Sequence, residues 1–169
     1  LAMTGLATGH AYRGDLGNAR RLFAEGTVIL KAGGFERGVA AATLNHAEVE
    51  FCAGNAPDAL LLAEELIGRP SETTPLTLCN GIVNVAAYLI ALERWDDATA
   101  RAREGLERAR DLQTDVLAVA AIQHLAAIAT LRPQGPDAAL GARLLGHTDA
   151  RFSALGAQRE YTEQQECDK

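Results

Sequence analysis

The chain has 169 residues, of which 33 are alanine and only 5% are aromatic, and it carries a formal net charge of −6. This length suits one domain with a sizeable core, and the alanine content favours closely packed helices over a β-sandwich, which needs more β-branched and aromatic side chains. The negative charge argues against nucleic acid as a partner of this segment, because phosphate contacts need clustered lysine and arginine.

Turn signals divide the chain into four predicted helical hairpins. Turns at 14–17, 54–57, 93–96 and 133–136 lie inside the hairpins, and breaks at 33–34, 69–75 and 111–115 separate them. The paired helices are predicted at 2–13 with 16–32, 36–53 with 57–68, 74–93 with 96–111, and 116–131 with 137–155. Asp15, Asn55 and Asp96 are predicted helix N-caps. Residues from about 158 onward predict the start of one more helix.

A pair of alanines recurs along the chain at nearly constant spacing. The first members are Ala7, Ala47, Ala86 and Ala126, and the second members are Ala19, Ala59, Ala98 and Ala138. Both series advance in steps of 40, 39 and 40 residues. A period in this range predicts a helical repeat array.

This pattern resembles the tetratricopeptide repeat, whose unit of about 34 residues has a small residue in its first helix and an alanine in its second. The unit here is five or six residues longer, and the tryptophan usual in the family is replaced by Met3, Thr43, Ile82 and Ile122. The longer unit, together with segments 38–47 and 142–150, is similar to the C-terminal arrays of large bacterial signal-transduction proteins. Those proteins join a nucleotide-binding module to a LuxR-type or winged-helix DNA-binding domain, or to a cyclase domain.

The resemblance implies an all-α fold. It would be a right-handed α-solenoid of four antiparallel helix pairs plus a partial C-terminal helix, forming a single domain over 1–169. It also implies that the segment belongs to a larger protein. The expected fold is therefore a tetratricopeptide-like superhelix with a concave groove.

The same resemblance places ligand contacts on the first helix of each pair, facing the groove. The predicted contact row is Thr8, Tyr12, Asn45, Glu48, Asn80, Asn84, Gln123 and His124. Asn45, Asn84 and His124 would lie at one height, and amide side chains that both donate and accept suit a peptide backbone or a sugar hydroxyl. The alternative is that Asn45 and Asn84 cap or bridge neighbouring repeats. The row contains Glu48 and no lysine or arginine, which argues against capture of a chaperone's C-terminal carboxylate.

Other chemistry finds little support in the sequence. The four histidines lie on different predicted helices, and Cys52 and Cys79 fit buried thiols in a reducing compartment better than metal ligands. The arginines between 101 and 110 alternate with acidic residues, as on a solvated helix face. No phosphate loop or nucleophile motif is visible, and no apolar run approaches the roughly 20 residues of a membrane span. Neither a cofactor nor a catalytic role is therefore expected in this segment.

The expected function is that of a cytoplasmic scaffold or sensor domain of a bacterial transcriptional or signalling regulator. Its groove would bind a protein segment or a small effector, while a separate ATPase or cyclase domain of the parent protein would carry any catalysis. The alternative is a structural spacer or homo-oligomerisation arm that associates through the array ends and has no ligand of its own.

Overall fold

The computed structural model describes residues 2–159 and 162–164, apart from the side chains of Ala2 and Tyr12. The helices in chain order are α1 (Ala2–Tyr12), α2 (Leu16–Ala32), α3 (Glu36–Cys52), α4 (Ala56–Ile67), a short 3-10 helix (Pro70–Glu72), α5 (Pro75–Ala91), α6 (Trp95–Asp111), α7 (Asp115–Leu131) and α8 (Ala138–Leu155). Residues 162–164 are also helical. No strand occurs in these described ranges, so the all-α prediction is confirmed.

The chain divides into two compact units, Leu1–Gly81 and Ile82–Lys169. Helix α5 contributes residues to both units. In the first unit α2 packs on α1, and α3 packs on α2, on α1 and on α4. The short 3-10 helix also contacts α3. In the second unit α6 packs on α7 and α7 packs on α8. Helices that follow one another in the sequence are thus neighbours within each unit.

Small residues hold the helices close together. All four first-series alanines are at most 3% exposed, and the second-series residues Ala19, Ala59 and Ala98 are fully buried. In the first unit Ala7 and Ala19 belong to a cluster with Phe23 and Val49. The burial of these seven alanines agrees with the closely packed helices that the alanine content predicts, since a small side chain lets two helix axes approach closely.

Ala138 departs from the pattern, because it is exposed at the first position of α8. The loop before α8 has six residues, 132–137, whereas the loop between α1 and α2 has three, 13–15. The packed position four residues after the N-cap Asp137 is therefore Gly141, whose added Cβ would lie 2.1 Å from Thr130 Oγ1 and 3.2 Å from the Ala126 carbonyl oxygen. The prediction for Ala138 was wrong because three extra loop residues shift the register.

The helix N-caps agree with prediction in part. Asp15 caps α2, and its side chain accepts a hydrogen bond from the backbone N–H of Asn18. Asn55 occupies the N-cap of α4 without making that side-chain bond. The N-cap of α6 is Arg94, and Asp96 lies inside the first turn, so the prediction for Asp96 was wrong. An acidic residue there still complements the positive end of the helix dipole.

Charged side chains of α6 form ion pairs with one another along the helix. Arg101 and Arg108 both contact the carboxylate of Glu104, at 2.8 Å and 3.1 Å respectively. These contacts follow the i,i+3 and i,i+4 spacing of a solvated helix face. Most of the charged side chains of α6 are exposed, which agrees with the interpretation of this segment as a solvated helix face.

Candidate binding site

Three residues of the predicted contact row have described side chains on α1 and α3 of the first unit. Asn45 is exposed, while Thr8 and Glu48 are half-buried. The Thr8 hydroxyl donates a hydrogen bond to the carbonyl oxygen of Thr4 at 3.1 Å, so its donor is used within α1. Asn45 is the member of this group that presents a polar side chain most openly to solvent.

The other two members of the row in the first unit are Tyr12 and Asn80. The side chain of Tyr12 lies outside the described residues. Asn80 is half-buried on α5, close to the boundary between the two units. In the first unit, the accessible part of the predicted row is therefore centred on α3.

A buried polar cluster, which the sequence analysis missed, lies between α2 and α3. Glu50 is only 3% exposed and accepts hydrogen bonds from Nε and Nη2 of Arg20, both at 2.6 Å. Nδ2 of Asn55 donates a further hydrogen bond to Glu50 at 3.1 Å. The two parallel bonds from one guanidinium are the strong, orienting arrangement for a carboxylate. They connect α2 to α3, while the bond from Asn55 connects Glu50 to the N-cap of α4.

His46 lies one turn before Glu50 on α3 and completes this cluster. Its Nε2 is 3.3 Å from Glu50 Oε1, and its ring stacks on Phe23 with centroids 5.0 Å apart and planes inclined by 12°. Burial lowers the pKa of His46 and outweighs the opposing effect of Glu50. Hydrogen bonding from Arg20 lowers the pKa of Glu50. At neutral pH the cluster therefore contains an anionic carboxylate beside a neutral imidazole.

In the second unit the predicted row is buried. Asn84 on α5 is 2% exposed, and its amide nitrogen has no hydrogen-bond partner in the described part of the structure. His124 on α7 is fully buried. Of the three side chains expected at one height along the groove, Asn45 alone is open to solvent, while Asn84 and His124 lie in the interior.

Gln123 is also buried, and both ends of its amide are bonded to the chain segment after α8. Its Nε2 donates to the carbonyl oxygen of Glu163, and its Oε1 accepts from Nε of Arg159, each at 2.6 Å. Arg159 also bonds to Asp149 on α8 and lies 5.1 Å from the ring centroid of Phe152. Glu163 follows Gln123 by 40 residues, which is one repeat. Arg159 and Glu163 are thus bonded to side chains of α7 and α8.

The cysteines and acidic side chains that the structure describes form no preformed metal centre. In the ranges 2–159 and 162–164, no group of three or more His, Cys, Asp or Glu side chains could hold a metal ion. Cys79 is fully buried, as predicted, whereas Cys52 is half-buried. Burial, with a smaller contribution from Glu48, raises the pKa of the Cys52 thiol to about 12. Cys167 lies outside the described residues.

No protein-family model and no curated protein matches this chain. Among the helices that the structure describes, none combines the length and the apolar character needed to cross a bilayer.

Proposed function

We propose that this chain is a non-catalytic binding module made of tetratricopeptide-like helical hairpins. The observation that carries this proposal is the small residue packed four positions after the N-cap of each hairpin's second helix: Ala19, Ala59, Ala98 and Gly141. The same local packing repeated four times supports a helical repeat array, and a right-handed solenoid of antiparallel pairs is the arrangement that we propose for it. Arrays of this kind present extended surfaces that bind partners.

The contact surface of the proposed module is centred on α3. Asn45 presents its amide to solvent, and Glu48 lies one turn further along the same helix. An amide that donates and accepts suits the backbone of an extended protein segment, and a small polar effector is the second ligand class. The buried positions of Asn84 and His124 support a packing role for these two side chains within the module.

The setting proposed for the module is a larger cytoplasmic regulatory protein of a bacterium. The longer repeat unit and the segments at 38–47 and 142–150 support this setting. In such a protein, ligand binding would be passed to a DNA-binding, ATPase or cyclase domain elsewhere in the chain.

Selection of peptides that bind the full chain, from an immobilised random-peptide library, tests this proposal. For the selected peptides we expect Asn45→Ala to weaken binding about tenfold, because a donor and an acceptor are lost together. Lys31→Ala is the matched control, since this exposed residue of α2 lies outside the contact row. Unchanged affinity of Asn45→Ala for every selected peptide would remove α3 from the binding surface, and selection of no peptide would exclude a protein-segment ligand.

A spacer or self-association arm is the second candidate, and two exposed side chains on α2 favour it. Val28 is 66% exposed and Ile29 is 59% exposed, so this helix presents adjacent apolar residues to solvent. If the second candidate is right, light scattering will detect a dimer that grows with protein concentration and disappears in the Val28→Lys/Ile29→Lys variant. A monomer at all concentrations supports the binding module instead.

A further inference from the structure

A groove lies on the surface of the first unit, where α3 begins and α4 ends. It consists of an open pocket of ≈ 390 Å³ and a narrower recess beside it, which share Glu36 and Glu72. Its characteristic lining residues are Phe35, Glu36, Glu65, Leu66, Arg69 and Glu72. We call it the α3–α4 groove. None of its lining residues belongs to the predicted contact row.

One wall of the α3–α4 groove is an exposed aromatic ring. Phe35 is the N-cap residue of α3 and is 64% exposed. A phenyl ring cannot accept the hydrogen bonds of the first helical turn, so helix capping does not explain this side chain. The ring lies over Gly33, where an added Cβ would be 2.6 Å from it. The buried side chain of Leu66 adds a second apolar surface within the recess.

The recess has more negative than positive charge. Three carboxylates line it, and Arg69 is its one cation, 3.3 Å from Glu65 and 3.7 Å from Glu72. Glu36 makes no ion pair with any residue that the structure describes. Glu64 and Glu65 also lie in the last turn of α4, where the helix dipole favours cations over anions. A positively charged group in the recess would complement both the carboxylates and the helix end.

We propose that the α3–α4 groove binds a segment of a partner protein in which a lysine or arginine neighbours a large apolar residue. The cationic group is held among the carboxylates of Glu36, Glu65 and Glu72, and the apolar side chain packs against Phe35. A pocket of ≈ 390 Å³ holds a few side chains, so the bound segment is short and extended. This surface is additional to the contact row around Asn45 and does not depend on it.

Titration of the isotopically labelled full chain with acetyl-Leu-Lys-Leu-amide, followed by NMR, tests the proposal. We expect saturable shifts of the backbone amides of Phe35, Gly38 and Ser71, and much weaker binding of the uncharged peptide in which norleucine replaces lysine. Glu36→Gln should weaken binding of the lysine peptide about threefold, the scale of one partly exposed ion pair. Arg37 also lines the open pocket, so Arg37→Gln, the matched change on the adjoining residue, should strengthen binding slightly because it removes a competing cation.

Several results would overturn this assignment. Equal binding of the charged and uncharged peptides would contradict the charge argument, as would weakening by Arg37→Gln without weakening by Glu36→Gln. If the backbone amide signals of the groove residues shift when the protein is diluted without peptide, the occupant of the groove is a second copy of the chain. Asn45→Ala should leave binding of the lysine peptide unchanged, so failure at this groove and failure at the contact row can be told apart.

Discussion

At the scale of single residues, Glu50 is the group on which the polar contacts of the first unit converge. Replacing Arg20 with alanine would leave this 3% exposed carboxylate with Asn55 as its remaining hydrogen-bond donor. We expect the free energy of unfolding to fall by about 1–3 kcal/mol, because a buried charged acceptor loses two bonds. Urea denaturation followed by circular dichroism measures the loss.

Arg21→Ala is the matched control for this measurement. Arg21 pairs with Glu25 at 2.8 Å across one exposed turn of α2. Exposed pairs of this kind contribute about 0.5 kcal/mol or less. An equal loss of unfolding free energy in the Arg20 and Arg21 variants would show that the buried Arg20–Glu50 pair stabilises the protein no more than an exposed pair does.

His46 makes the stability of the first unit depend on pH. Burial lowers its pKa from the ordinary 6.5, so the unfolded chain binds a proton more readily than the folded protein as the pH falls. Stability is therefore complete above the unfolded value of about 6.5 and declines below it. The lowered pKa of Glu50 adds a further decline below 4.5.

Thermal denaturation between about pH 8 and pH 5 checks this expectation. The Tm of the natural protein should fall below about pH 6.5, whereas that of His46→Gln, which cannot take up the proton, should change less over the same interval. Parallel curves for the two proteins would assign the pH dependence to other groups.

The residue-scale description could be predicted only in part from the sequence. The i,i+4 spacing of His46 and Glu50 was a visible signal, but Arg20 lies thirty positions earlier, and sequence spacing says nothing about that contact. The repeat register also placed Asn84 and Asn45 in equivalent positions. A register gives the angle of a side chain around its helix, whereas burial depends on what packs over that face, and this differs between the two residues.

At the scale of elements, the close approach of α7 and α8 depends on Gly141. An alanine Cβ at this position would lie 2.1 Å from Thr130 Oγ1 and 3.2 Å from a backbone oxygen of α7. We expect Gly141→Ala to reduce the free energy of unfolding by about 1–3 kcal/mol, because one helix must shift. Urea denaturation of the variant gives this value.

Gly146→Ala on the same helix is the control, since nothing lies within 4 Å of its added Cβ. This variant should gain about 0.5–1 kcal/mol, because alanine favours the helix over glycine. Adding Thr130→Ala to Gly141→Ala should recover part of the loss, since the nearest clashing atom is then gone. A stabilising Gly141→Ala variant would contradict the close contact.

Helix positions were the most predictable feature at this scale, because proline, glycine and capping residues interrupt the apolar periodicity. The eight predicted helices agree with the structure to within two residues at each end. Some turns carry weaker signals. Gly54 and Glu93, which each precede a helix N-cap, have positive φ angles of 80° and 58°. Only the glycine is a residue type that predicts this conformation. The short 3-10 helix at Pro70–Glu72 was not predicted, since the segment 69–75 was interpreted as a break between hairpins.

At the scale of the whole molecule, net charge controls behaviour in solution. The formal charge of −6 and a pI near 5.2 predict minimum solubility close to that pH, where mutual repulsion between molecules is weakest. Turbidity of a concentrated solution, measured from about pH 7 downward with circular dichroism as a check on folding, tests this. Solubility that is constant through pH 5.2 would show that local surface features outweigh the net charge.

The repeat period was predictable because it rests on buried small residues, and seven of the eight recurring alanines pack as expected. The resemblance to tetratricopeptide arrays added predictions of the handedness of the array, of antiparallel pairing of its helices and of a regulatory parent protein. Those points stay predictions, because they depend on geometry and sequence beyond the period itself. The two-unit division at Gly81 and Ile82 had no sequence signal, since it lies in the middle of the continuous helix α5.

The six-residue loop before α8 has a consequence for protein engineering. Aligning the hairpins by a constant period would rotate the assumed inner face of α8 by three residues, or about 60°. A consensus design made in that way would treat the exposed Ala142 as a core position and would overlook the fully buried Thr148. Hairpins exchanged between arrays of this type should therefore be joined by matching N-caps, with loop length left free to vary.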